Sequence, residues 1–164
     1  MVGEVDDELV VAGQPGLLGR RGGRGGGLAG DDELVVDLAD HGAELLDWSS
    51  ARVRALVDEI AACSLLVVAS PTYKASYTGL LKCFLDWFST TGLAGVVTVP
   101  VMVGAGPTHA LAVEVHLRPV LVEIGATLPT RGLYVQESEI PGLDAVIDGW
   151  RRDAGPVLRQ ALAQ

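Results

Sequence analysis

Cations are scarce in this chain. Lysine occurs twice in 164 residues, at Lys74 and Lys82, and the formal charge is −9. Neutralising phosphates needs clustered Lys and Arg, so nucleic acid is not expected as the main partner. Long apolar runs are missing too. None approaches the roughly 20 residues that span a bilayer. The N-terminus, MVGEVDDELV, is acidic and lacks the basic-then-apolar order of a signal peptide. These features predict a cytoplasmic protein with no membrane partner. The two cysteines, Cys63 and Cys83, form neither a CxxC pair nor a metal spacing. Three scattered histidines, His41, His109 and His116, make no HxH or HxxxH, so no metal site is expected. A Gly-x-Ser-x-Gly elbow is absent, which excludes an α/β-hydrolase reading. No Gly-x-x-x-x-Gly-Lys-Ser/Thr loop occurs either, which counts against an NTPase.

About half of the residues are apolar, enough for a real core in what is most simply one domain over residues 1–164. Five valine-rich segments read as strands: Leu9–Gly13, Glu33–Leu38, Ser64–Ser70, Val96–Val103 and a fifth within Leu128–Val135. Short continuous apolar runs suit strands covered on both faces, as in a parallel sheet. Helical patterns alternate with them. Ser49 or Ser50 can cap a helix over Arg52–Ala62, Thr78 can cap Gly79–Phe88, and Thr108 can cap His109–Ile124. Leu143–Leu162 reads as a closing helix that Gly155–Pro156 should kink or break. This alternation predicts an α/β fold with a doubly wound, five-stranded parallel sheet. The weak point is Gly13–Gly30, where nine of eighteen residues are glycine. Each interior glycine costs a helix about 1 kcal/mol, so any helix there is short or absent.

The richest stretch is Ser70-Pro-Thr-Tyr-Lys-Ala-Ser-Tyr-Thr-Gly-Leu-Leu-Lys82. A buried strand enters it, a proline-opened polar loop follows, and a helix leaves it. Open parallel sheets bind ligands outside the carboxyl ends of their strands. Three loops are expected to meet there: Gly13–Gly22, Pro71–Tyr77 and Gly104–His109 (GAGPTH). Arg20, Arg21 and Arg24 either neutralise a ligand phosphate or form a solvated Arg–Gly run. Leu80, Leu81, Phe84, Leu85, Trp87 and Phe88 either pack the core or form a subunit interface.

SPTYKASYTGLLK resembles the flavin-edge loop and following helix of the NAD(P)H-dependent FMN reductases, including those of two-component alkanesulfonate monooxygenase systems. Val103–Ala126 (VGAGPTHALAVEVHLRPVLVEIGA) looks like the same family's glycine loop and long helix. The resemblance covers about Glu33 to Glu137. It implies a flavodoxin-like three-layer sandwich with strand order 2-1-3-4-5. It also implies FMN with NADPH or NADH, and a homodimer or homotetramer. Pro71, Thr72, Tyr73 and Lys74 would contact the isoalloxazine edge. Gly104, Ala105, Gly106 and His109 would lie against the other side of the ring. The family's phosphate loop reads roughly Gly-Asn-Pro, a spacer, then Gly-Ser-Arg-Thr. Gly13, Gln14 and Pro15 match its start, and Gly19, Arg20 and Arg21 its end, with Arg20 and Gly22 standing where the family has hydroxyls.

The activity so implied is hydride transfer from nicotinamide C4 to flavin N5. It needs no acid–base side chain, so no catalytic residue is assigned. Reduced flavin could pass to a partner monooxygenase. The alternatives are a quinone or azo-compound reductase, a non-catalytic homologue acting as scaffold or partner subunit, and an electron-carrier flavodoxin.

Overall fold

A computed structural model of the chain describes residues 9–13 and 33–164. Strands β1 (Leu9–Gly13), β2 (Glu33–Asp37), β3 (Leu65–Pro71), β4 (Val97–Gly104) and β5 (Leu133–Gln136) form one sheet, in the spatial order β2-β1-β3-β4-β5. The helices are α1 (Ala51–Ala61), α2 (Gly79–Leu85), α3 (Arg118–Glu123) and α4 (Leu143–Ala161).

The sheet is not fully parallel. β3, β4 and β5 run parallel, but β1 is antiparallel to both of its neighbours. The expectation of five parallel strands is therefore corrected at β1. An antiparallel pair does not require a crossover helix, whereas a parallel pair does. The sequence between β1 and β2 is half glycine over residues 13–30, a poor source of such a helix.

Alternation along the strands divides the core into two clusters on opposite faces. Val36, Leu66, Val68 and Met102 pack with α1, α2 and α3 through Ile60, Leu81, Phe84 and Leu121. Leu65, Val97 and Val99 face the other way and pack on Ala154 and Leu158 of α4. A sheet between two helical layers follows from this period-two pattern. Leu81, Phe84, Leu85 and Phe88 are at most 7% exposed. These four side chains are core of this chain, while Leu80 and Trp87 are half-buried against it.

The caps are where the residue types put them. The Ser50 hydroxyl accepts from the Val53 amide at 3.3 Å and starts α1. The Thr78 hydroxyl accepts from Leu81 at 3.2 Å and starts α2. Two expectations are corrected and a third is refined. The helix expected over His109–Ile124 does not begin at a Thr108 cap. It is a short 3-10 turn (Pro107–His109), a π-helical turn (Val113–Leu117) and then α3. The fifth strand, expected within Leu128–Val135, occupies Leu133–Gln136. Arg118 donates to the carbonyls of Leu128 and Thr130, while Glu114 accepts from the Gly132 amide at 2.6 Å. These bonds hold 128–132 on the helix layer until β5 begins. Finally, α4 continues through Gly155–Pro156. Ala154, Gly155 and Leu158 are buried against the sheet, and that packing outweighs the lost backbone bond.

Candidate flavin site

Two of the three expected loops meet. Pro71 ends β3 and pairs with Val103 of β4. The Thr72 amide then donates to the Val103 carbonyl at 2.7 Å, so the Thr72–Tyr77 loop leaves the sheet directly beside Gly104–His109. Ser70 anchors the first loop from below. Its buried hydroxyl accepts from the Thr78 amide at 3.2 Å and lies 3.0 Å from the Pro71 carbonyl. Both ends of the loop are thereby tied to one side chain.

The tip of this loop is a tight turn. Tyr73 and Ser76 exchange two backbone hydrogen bonds, at 2.9 and 3.1 Å. The residues between them, Lys74 and Ala75, have φ of 52° and 68°. Positive φ at both central residues is the type I′ arrangement, which normally takes Asn or Gly. Here a lysine and an alanine hold it, so the turn stores strain. Tyr73 and Lys74 are exposed at its crest. The amides of Lys74 and Ala75 make no backbone hydrogen bond among the described residues, and neither does that of Gly106. They remain as donors for a ligand edge.

The second loop needs glycine at its base. A Cβ on Gly104 would come closer than 3.0 Å to the Tyr134 hydroxyl, and within 3.2 Å of Thr72 Oγ1. Gly106 is extended, with φ of −168°. Ala105 and His109 are exposed. The Thr72 hydroxyl oxygen is buried and has no hydrogen-bond partner among the described residues. Such an orphan is costly unless something binds it.

Of the remaining residues expected at the site, Gly13 alone is described, and it is not brought there. Gly13 pairs with Leu65, the first residue of β3. It lies about 20 Å of strand from Pro71, at roughly 3.3 Å per residue. The first expected loop therefore starts at the opposite sheet edge, because β1 points the other way, and the rest of it lies outside the described residues. Gln14, Pro15, Gly19, Arg20 and Arg21 lie outside the described residues. Lys82 is engaged in an ion pair with Asp86, which holds its ammonium above the usual lysine range. Burial raises the Tyr77 phenol above its ordinary value, Lys82 opposing and Asp86 assisting. Tyr77 therefore stays neutral at physiological pH.

One residue was missed from sequence. Tyr134, on β5, donates from its hydroxyl to the Gly106 carbonyl at 2.7 Å. Burial, with a smaller contribution from Glu137, raises its pKa. The available signal was a lone aromatic on a strand that should sit beside β4.

Residues 23–139 match the family described as NADPH-dependent FMN reductase, well over half of the chain. The chain belongs to that family. An FMN reductase (NADPH) of Pseudomonas aeruginosa is 35% identical over 114 residues, which are 66% of this chain and 61% of that protein. Among solved structures, an NADH:FMN oxidoreductase (EMOB) in its apo form superposes with a TM-score of 0.58 at 35% identity, over 74% of this chain and 62% of the other. An oxidoreductase from Corynebacterium diphtheriae gives 0.68 at 26% identity, over 78% and 74%. These neighbours support a flavodoxin-like α/β fold. The chain spans roughly half to three-fifths of the length of the curated relatives it matches.

No helix among the described residues is long and apolar enough to cross a membrane.

Proposed function

We propose that this chain is a single flavodoxin-like domain that binds FMN between its two adjacent loops and reduces it with NADPH or NADH. When bound, FMN supplies the redox chemistry by accepting a hydride at N5 from nicotinamide C4. The chain's residues bind and orient. The family match and its FMN-reducing relatives support this reading, and one observation carries it at the site. Thr72 Oγ1 is buried without a partner among the described residues, where two loops with open amides leave the sheet side by side. A polar ring edge fits that donor set. Lys74, Ala75 and Gly106 would offer amides, Thr72 its hydroxyl, and Tyr73 an aromatic surface at the mouth. Pro71, Gly104, Ala105 and His109 would shape the walls. No side chain is required to move a proton, and what the protein adds is orientation and exclusion of water.

The reading extends to two partners. Reduced flavin would pass to a flavin-dependent monooxygenase, and the chain would form a homodimer or homotetramer. Leu111, Val115 and Val122 are 71%, 57% and 56% exposed on the segment from Leu111 to α3, an apolar stripe that a second copy would cover. Light scattering on the purified protein tests this, and a monomer at micromolar concentration would refute it.

A second reading has one observation in its favour. Gly13, where the family's phosphate loop begins, lies at the opposite sheet edge from the two loops. A homologue without a phosphate anchor would be a scaffold or partner subunit. FMN titration followed by addition of NADPH or NADH under air separates the two. Flavin-dependent nicotinamide oxidation supports the reductase. A colourless protein that neither binds FMN nor speeds nicotinamide oxidation supports the scaffold.

A further inference from the structure

We propose that Tyr134 is a positioning residue. Its hydroxyl sets the height of the Gly104–His109 loop above the flavin slot and thereby sets the affinity for the ring. The inference rests on the flavin-site reading above and adds a residue to it.

Three observations converge on one point. Tyr134 stands opposite Met102 in the β4–β5 register, two residues before Gly104. Its ring packs against the core cluster that includes α1, α2 and α3, the side on which the Thr72–Tyr77 loop passes into α2. Its hydroxyl donates to the Gly106 carbonyl at 2.7 Å, across 28 residues of chain. This clamp ties the middle of the loop to the neighbouring strand, where the Gly106 amide itself makes no backbone hydrogen bond among the described residues. Gly104 completes the arrangement. The space where its side chain would be is taken by the Tyr134 hydroxyl and Cζ and bordered by Thr72 Oγ1. The clamp, the missing Cβ and the orphan hydroxyl thus occupy one small volume beneath the loop pair. The glycine and the tyrosine hydroxyl depend on one another, because a methyl at 104 must displace the hydroxyl that holds Gly106.

That dependence makes the proposal testable by a double-mutant cycle. FMN is titrated by flavin fluorescence into the wild type, Tyr134→Phe, Gly104→Ala and the double variant, with a thermal melt of each. Tyr134→Phe is expected to raise the Kd for FMN about fivefold, the worth of one ordinary hydrogen bond, with the melting temperature nearly unchanged. In turnover, KM for FMN should rise while kcat holds. Gly104→Ala is expected to raise Kd at least tenfold in the wild type but only a few-fold in the phenylalanine background, where no hydroxyl is left to displace. An unchanged Kd in Tyr134→Phe, or effects that simply multiply, overturns the proposal. So does a fallen melting temperature with intact affinity, which marks the hydroxyl as merely structural. A ligand-free arm separates this from the underlying reading. Amide hydrogen exchange at Gly106, Thr108 and His109 should quicken in Tyr134→Phe. If the wild type binds no FMN, the functional reading falls, and the exchange result still decides whether Tyr134 holds the loop.

Discussion

Replacing Ala75 by glycine should make this protein more stable. Ala75 sits at φ 68°, next to Lys74 at 52°, in a turn closed by the two hydrogen bonds between Tyr73 and Ser76. A Cβ in the left-handed region costs about 1–2 kcal/mol. Glycine avoids that cost but loses about 0.5–1 kcal/mol through the greater freedom of its unfolded state. The difference leaves Ala75→Gly about 0.5–1 kcal/mol more stable. At this chain length that is a rise of about 1–4 °C in melting temperature. Ala75→Val adds a branched Cβ to the same strained position and should lower stability by at least about 1 kcal/mol. Urea unfolding followed by circular dichroism, with thermal melts, measures both. A less stable glycine variant, or a neutral valine variant, would show that the turn is not held with both residues left-handed. The same experiment bears on function. If the strain presents the Lys74 and Ala75 amides to the ring, the stabilised glycine variant should bind FMN more weakly, as a looser loop must be ordered on binding.

Further expectations concern the rest of the site and its supports. Tyr73→Ala with Lys74→Ala should weaken FMN binding while the far-ultraviolet circular dichroism stays native; unchanged affinity would remove that loop from the site. Thr78→Ala deletes the hydroxyl that caps α2 and should cost about 1 kcal/mol in urea unfolding, a loss that Thr78→Ser should largely restore. Glu114 is partly buried, which alone would raise its pKa, but Arg118 and the Gly132 amide outweigh burial and hold it below its ordinary 4.5. A depressed folded pKa gives stability that is present above pH 4.5 and is lost as pH falls through the folded value. Glu114→Gln should therefore be less stable than wild type at neutral pH, with the gap closing on acidification below about pH 4.5. A gap constant from pH 7 to pH 3 would contradict this assignment.

The part of the fold that positions the site was legible for local reasons. Valine runs marked β3 and β4, and hydroxyl residues directly before apolar-periodic segments marked the caps at Ser50 and Thr78. Adjacency of the Pro71 and Gly104 loops then follows from parallel pairing of consecutive strands, which needs no long-range information. The direction of β1 was not legible. The glycine-rich sequence that follows it carries no hydrophobic periodicity, and period two in a strand is the same read in either direction. The closing helix was legible, but a kink or break was expected in it because local propensity disfavours Gly155 and Pro156. Burial of Ala154 and Leu158 on the sheet is a tertiary term that no local rule contains. Tyr134 was missed for a related reason. Its hydroxyl meets Gly106 only because β5 pairs with β4, and the register between two strands was not written in either one.

The central claim is that FMN lies between the Thr72–Ser76 and Gly104–His109 loops. The most direct measurement is an amide correlation spectrum of the uniformly ¹⁵N-labelled protein recorded during FMN titration. The account predicts that the largest shifts fall on Thr72–Ser76 and on Ala105, Gly106, Thr108 and His109, saturating together. Shifts confined to the α4 face of the sheet, or none at millimolar FMN, would contradict it.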